Sequence, residues 1–408
     1  MLILKRSPGD SFTFKLFYKL VSKLTNVDAI YVWSSVLEPS YFNVNVKQLI
    51  GGFLEHETEV YFRSVIQENI KKDTIIIGVK DHLTSGDFNP WYDNMPTVVN
   101  YLNQLIDFYH DKTIVLLTSV ENLGKYIKQS NVSIIPWGGD ITNHQLEYKN
   151  LEPVQCKNFN SKYTYISLNR NERNHRKILL SMLMGMNLQD KGLISCMFKQ
   201  GMDSCPDITT ATSWQFNEDQ QDIKKVVENG FNLFKDYKPL LTDDMKIYIN
   251  YDNDNVSNFK NKLAHYYQDT FVEIITETSY TEQCYLLTEK TLNSIYGMNF
   301  PILLCGQGSV SLLRKMGMDM FDDVIDHSYD RLENPVDRMY AALAKNARLL
   351  TDSDYIIEQW KKCKPRFEQN VIWSKTTMYD FYENRASEIF QNVVKIPHYH
   401  VDIDTETK

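Results

Sequence analysis

Short apolar runs rich in β-branched residues alternate with helix-patterned segments, and no other feature of this chain narrows its fold as far. The runs are residues 27–33 (VDAIYVW), 74–79 (TIIIGV), 113–118 (TIVLLT) and 132–137 (VSIIPW). Unbroken apolar character of this length marks strands buried on both faces. Between the second and third runs, PTVVNYLNQLIDFYHD sets Val98, Val99, Leu102, Leu105, Ile106 and Tyr109 along one helical stripe, with Pro96 in its first turn. A shorter helix is expected around 120–129. Strand–helix–strand order implies parallel strands joined by right-handed crossovers, hence a doubly wound sheet.

The periodicity lapses over 138–160, where Gly, Pro and Asn accumulate, and this stretch reads as a linker. A second alternating set follows. Strands are expected at 163–168, 246–250, 271–276 and 301–305, and helices at 176–186, 289–296 and 309–316. Residues 335–394 read as helical throughout. The pattern therefore predicts two α/β domains, 1–150 and 160–385, with a helix end and polar tail over 386–408.

Of the 408 residues, 43% are hydrophobic and 24% charged, which excludes disordered, collagenous and coiled-coil plans. The six cysteines are scattered with no C-x-x-C, so neither a disulfide framework nor a cysteine zinc site is expected. The N-terminal MLILKRSPGD is too short in apolar residues for a signal-peptide core, and no run approaches the roughly 18 apolar residues of a membrane span. A soluble cytoplasmic protein is the expectation. A net charge of −8 argues against a surface that grips polyanions throughout. Two segments run against that balance. Residues 1–25 carry five basic side chains against Asp10, interleaved with Phe12, Phe14, Phe17 and Tyr18, and residues 156–177 carry six against Glu172. Local basic clusters on an acidic body suit one bound anion.

Four constellations could carry chemistry. In TYISLNRNERNHRKILL, a strand runs into a loop and a helix that starts near Asn174, a capping residue type; Arg170, Arg173 and Arg176 add forked donors to the positive helix end. These are the requirements of a diphosphate site. In TETSYTEQCYLLTEKTLNSIYGMNFPILLCGQGS, Thr288 caps a helix opening with Glu289 and Lys290, and Gly297 would end it in a left-handed conformation. Glu289 could hold two ribose hydroxyls and Lys290 a phosphate, while Gly306 and Gly308 permit close backbone approach. A plain helix start with a stabilising Glu fits the same spacing. Asp252 and Asp254 form a D-x-D after an expected strand, which suits Mg²⁺ or Mn²⁺ as well as an ordinary turn. Finally, the loop after the second strand holds Asp81, His82 and Asp87, candidates to take a proton from an acceptor hydroxyl; Asp140 and the pair His56 and Glu57 are others.

The order of the 277–305 segment resembles the donor-binding half of GT-B glycosyltransferases of the fucosyltransferase- and exostosin-like kind. Together with LNRNERNHRKILLSMLMGMNLQDKGLIS and the run through HSYD, it is similar to glycosyltransferase-like proteins of bacteriophage and marine microbial genomes. The likeness covers residues 163–340 and departs at His327, where that group tends to carry an acidic residue. The resemblance implies two Rossmann-like domains facing a cleft. It implies donor roles for Arg170, Glu277, Glu289 and Lys290, with a nucleotide-diphosphate sugar as co-substrate and neither cofactor nor essential metal. The implied acceptor is a glycan or lipopolysaccharide, or a 5-hydroxymethylated base in phage DNA, which would place the protein in the host cytoplasm. A metal-dependent GT-A-type transferase using Asp252 and Asp254, and a non-catalytic nucleotide-sugar- or glycan-binding protein, stay open as alternatives.

Overall fold

The computed structural model describes residues 27–32, 73–79, 103, 106–107, 109–118, 127, 131–136, 148–170, 172–212, 214–239, 259–277, 280 and 287–378. The chain is an α/β protein whose described strands are all parallel, in two sheets. These belong to two compact units, the second comprising His144–Met378 with a short excursion from 85–92.

The first unit holds β1 (Val27–Val32), β2 (Thr74–Val79), β3 (Thr113–Thr118) and β4 (Val132–Pro136), in that spatial order. All four coincide with the expected runs to within a residue. Ile75, Ile76, Ile114, Val115 and Leu116 are sealed from solvent at consecutive positions, as a sheet covered on both faces requires. Pro136, which has no N–H to give to a ladder, ends an edge strand. Of the helix expected after β2, residues 103, 106 and 107 are described as helical, with Ile106 buried.

In the second unit the sheet runs β6-β5-β7-β8, from β5 (Tyr165–Ser167), β6 (Gly192–Ile194), β7 (Val272–Thr276) and β8 (Phe300–Leu304). Its longer helices are α1 (Asn174–Gly185), α2 (Gln221–Asp236), α3 (Glu289–Gly297), α4 (Ser309–Lys315), α5 (Pro335–Lys345) and α6 (Ser353–Lys375). Every residue of α1 from His175 to Met184 is buried, so this helix is interior on all sides. β6 and α2 were not anticipated. The strand expected at 246–250 lies outside the described residues.

α1 and α2 cross with their backbones in contact. A Cβ on Gly230 would stand 1.7 Å from the Ser181 carbonyl oxygen, and one on Gly185 would stand 2.0 Å from that of Val226. No side chain fits either place. Gly297 was expected to be the left-handed terminator of α3. That conformation belongs to Met298, at φ 53°, while Gly297 remains helical and leaves room for the Tyr267 ring.

The described part of the expected linker is not free chain. The Tyr148 hydroxyl donates to Asn293 Oδ1 at 2.6 Å, and the amides of Val154 and Asn158 bind the carbonyls of Tyr296 and Gln268 at 2.8 Å each. Lys157 is the firmest tie. Its ammonium is buried and donates to the carbonyls of Tyr267, Thr270 and Gly297 at 2.6–2.7 Å and to Asn299 Oδ1. Burial lowers its pKa well below the usual lysine value.

Glu273 lies on β7 nearby. The Tyr267 hydroxyl donates to its Oε1 at 2.8 Å, while Oε2 is buried with no hydrogen-bond partner. Burial pushes its carboxyl up to about 8. An oxygen without a donor is what a neutral carboxylic acid tolerates and a carboxylate does not.

Two predictions follow from this packing. Gly230→Ala should lower stability by about 3 kcal/mol or more through displacement of α1, whereas Gly201→Ala, whose new methyl meets nothing closer than Glu172 Oε1 at 3.5 Å, should be neutral or stabilising by up to about 1 kcal/mol. Similar effects in urea unfolding would contradict the backbone crossing. For Glu273, the folded value lies above the ordinary 4.5, so the folded chain binds the proton more tightly. That contribution is full below pH 4.5 and is lost as pH rises through about 8. Glu273→Gln should therefore gain stability over the parent steadily between these limits, and a pH-independent difference would refute a neutral Glu273.

Candidate functional site

Strand order makes one place special. From β5 the chain turns outward to β6, then returns past β5 to lay down β7 and β8 on its other side. β5 is thus followed by a strand on one side of it and β7 by a strand on the other, so the carboxyl ends of these two adjacent strands mark a topological switch point. In open α/β sheets ligands bind at such switch points. Among its described strands, the first sheet keeps its sequence order and has no such reversal.

At this switch point lies Asn169, fully buried just past β5. Its amide nitrogens serve both neighbours: the backbone N–H donates to Ser195 Oγ at 3.0 Å, and Nδ2 donates to Ser167 Oγ at 3.1 Å. α1 begins five residues later. The cap position is Arg173, in extended backbone with no side-chain cap bond, and no acidic residue occupies the first turn. The cap expected of Asn174 is absent because Asn174 is already helical.

The first turn of α1 reaches across to β7. His175 Nε2 donates to the Glu277 carbonyl at 3.1 Å, and Arg176 Nη2 donates to that of Thr276 at 3.1 Å. The His175 ring stacks on Tyr280 with centroids 5.4 Å apart, and the Arg338 guanidinium lies 4.9 Å above the Tyr280 ring. Arg338 also binds the Tyr280 carbonyl, and the Tyr280 hydroxyl donates to that of Pro335 at 2.8 Å. An imidazole, a phenol and a guanidinium thus hold one point of the loop between β7 and α3.

Glu277 is the hinge of the arrangement. Its carboxylate is fully buried and accepts from the Thr288 amide at 3.0 Å, the Thr288 hydroxyl at 2.6 Å and the Thr291 hydroxyl at 2.8 Å. It closes the positive end of α3 from below. Thr288 caps the helix as expected, accepting from the Lys290 amide at 3.5 Å. Above it sit Glu289 and Lys290, both half-buried and paired at 3.0 Å, with Lys290 Nζ also 2.9 Å from the Thr288 hydroxyl.

The expected donor residues therefore divide. Arg170 is exposed, and Arg173, Glu289 and Lys290 are partly so. Arg176 and Glu277, expected to meet a donor directly, are interior, and their polar atoms named above bind the protein itself. The basic cluster disperses in the same way. Lys157 is a buried tie, Lys162 lies over the Tyr163 ring, and Lys177 binds the Ala211 carbonyl and Glu172.

Gly306 and Gly308 lie one strand further along this edge, past β8. Gly308 takes φ 85° and its amide binds the Asp330 carbonyl at 3.2 Å. The Asp330 carboxylate accepts from the amides of Val310 and Ser311 at 3.3 and 3.1 Å, so the start of α4 already carries an anion, supplied by the protein. Burial raises the Asp330 carboxyl. Beside it lies a cavity of about 730 Å³, and of the expected donor residues only Gly308 lines it. His327, on its wall, is held neutral: burial lowers its pKa, Nε2 donates to the Met320 carbonyl at 2.8 Å, and Nδ1 lies 3.2 Å from the Tyr329 hydroxyl.

The sequence reading missed Asp330, Tyr280 and Arg338. Asp330 stands in the quoted HSYD run, but nothing in the sequence shows which helix it caps. Asp81, His82, Asp87, Asp140, His56, Glu57, Asp252 and Asp254 lie outside the described residues. Among the described residues there is no cluster of three metal-ligating side chains, and no helix is long and apolar enough to cross a membrane. No family model, curated protein or solved structure matches the chain.

Removing the charge that closes α3 should be costly. Glu277→Gln puts a donor where three donors converge and should lower stability by about 3 kcal/mol or more, against about 1 kcal/mol for Thr291→Val. Urea unfolding of the two variants checks this, and a loss below about 0.5 kcal/mol for Glu277→Gln would contradict the clamp.

Proposed function

We propose that the protein is a GT-B glycosyltransferase, moving a sugar from a nucleotide-diphosphate donor to an acceptor hydroxyl. The observation that carries the reading is the convergence of the starts of α1 and α3 on the switch point of the second sheet, with Arg170, Arg173, Glu289 and Lys290 at their exposed side. The diphosphate would lie against the first turn of α1 and the two arginines, where backbone N–H groups and guanidinium forks stabilise negative charge without a metal. Glu289 would accept two ribose hydroxyls and Lys290 would face the diphosphate. The resemblance of this segment to donor-binding domains supports the same assignment.

In the reaction the bond from the anomeric carbon to the diphosphate oxygen breaks and a bond to the acceptor oxygen forms. The acceptor proton passes to a base, for which Asp81, His82 and Asp87 are the candidates. Negative charge grows on the departing diphosphate, so Lys290 stabilises the transition state more than the ground state. The acceptor is a glycan or lipopolysaccharide, or the hydroxymethyl group of a modified DNA base, which would have to leave the helical stack to react.

Steady-state kinetics separates the two roles. Ribose hydrogen bonds exist before and during reaction, so Glu289→Gln should chiefly raise the donor KM, by about ten- to a hundredfold. Lys290→Ala should lower kcat as well, by about a hundredfold or more. Turnover should persist in EDTA. If both folded variants stay within about twofold of the parent, the donor site lies elsewhere; loss of turnover in EDTA, restored by Mn²⁺, would favour Asp252 and Asp254.

A further inference from the structure

The cavity beside β8 belongs to none of the roles above. It opens where Gly308 and Ser311 of the α4 start face the 322–331 turn. Its chemistry is unlike that of the switch point. Asp322, Asp323, Asp326 and Asp330 line it with Arg314 and Arg331, and Arg366 and Lys345, from outside the lining, pair with Asp323 and Asp326. Each carboxylate is thus matched by a cation or by helix-start amides, which suits a neutral ligand better than a free cation. Among the described residues no Phe, Tyr or Trp lines it and the His327 imidazole is buried, so a nucleobase would find little to stack on; Val324 is its half-exposed apolar side chain, Ile325 being buried.

Most of its polar groups are already held in place. Arg314 grips Asp322 with two hydrogen bonds of 2.6 and 2.9 Å, Arg366 Nη1 holds both oxygens of Asp323 at 2.8 and 3.0 Å, and Asp326 accepts from the Ser328 amide at 2.8 Å. These pairs fix the carboxylates while leaving lone pairs to spare, since an ionised carboxylate offers about four acceptor sites. Two groups differ. The Arg331 side chain is exposed, and among the described residues neither its guanidinium nor the Ser311 hydroxyl makes a hydrogen bond or ion pair. The cavity therefore offers rigid acceptors, the forked donor of Arg331, the unbonded hydroxyl of Ser311 and the apolar side chain of Val324.

We propose that this cavity is a binding site for a neutral polyhydroxylated ligand, a saccharide. Ring hydroxyls donate to the preset carboxylates and accept from Arg331, and the C–H face of the ring rests on Val324. A volume of about 730 Å³ admits one or two sugar rings. The proposal requires neither catalysis nor a nucleotide, so it stands or falls apart from the donor reading.

Saturation-transfer NMR on the full chain tests it, with glucose, galactose, N-acetylglucosamine and maltose as probes, and with spermidine and inorganic phosphate as charged controls. At least one neutral saccharide should bind with a Kd in the millimolar range, about 1–10 mM. Ser311→Tyr, which fills the cavity, should weaken binding by about tenfold or more, and so should Arg331→Ala, which removes the forked donor from an exposed position and leaves the fold intact. Three results would overturn the proposal: no neutral saccharide bound at about 20 mM, binding undiminished in folded Arg331→Ala and Ser311→Tyr, or binding of spermidine alone. Phosphate bound more tightly than any sugar would overturn it equally, since Arg331 would then serve an anion.

Discussion

One buried carboxylate organises the carboxyl edge of the second sheet. Glu277 leaves the end of β7, gathers three donors from the start of α3, and offers its own carbonyl to His175 of α1. Two helices that begin more than a hundred residues apart are thereby held to the same strand end. The charge is tolerated in the interior because it accepts three hydrogen bonds, one from a backbone amide at the helix start and two from threonine hydroxyls. Asp330 does the same for α4 with two amides. Carboxylates of the protein itself, from outside the helices, thus close α3 and α4.

Frame and working surface are separate. Arg176, Glu277, Tyr280 and Arg338 fix the geometry from inside. Arg170, Arg173, Glu289 and Lys290 stand outside it, where a ligand can reach them. A residue that holds a loop and a residue that touches a substrate can be neighbours in the sequence and of the same chemical type. Arg173 and Arg176 stand one helical turn apart, the first partly exposed and the second in the core.

Much of the fold was legible because it depends on local pattern. β1 to β4 follow from apolar runs that parallel sheets require, and Thr288 announced the start of α3. What was lost depends on partners distant in sequence. β6 is three residues long, too short for any period to register. α2 buries Val227, Gly230, Phe231 and Phe234 at helical spacing, yet Gly230 weakens the helix signal at its centre, and its purpose appears only once α1 lies against it. The same holds for the site. Spacing showed that Arg176 and Glu277 belong near the two helix starts, but a sequence does not reveal whether a charged group points at solvent or is consumed by a carbonyl. Lys157 is the sharpest instance: it counted toward a basic cluster and is instead a structural tie within a stretch that resembled a linker.

The central claim is that the switch point between β5 and β7 receives the ligand. Hydrogen exchange on the intact chain measures this directly, comparing the protein alone with the protein plus whichever of the UDP-, GDP-, CDP- or dTDP-sugars raises its melting temperature most. The account predicts slowed exchange at the amides of residues 168–176 and 287–292, the loop after β5 with the first turn of α1 and the start of α3, while the strand ends of the first sheet are unchanged. Protection confined to the first unit, or to the 306–331 segment beside the cavity, would contradict it.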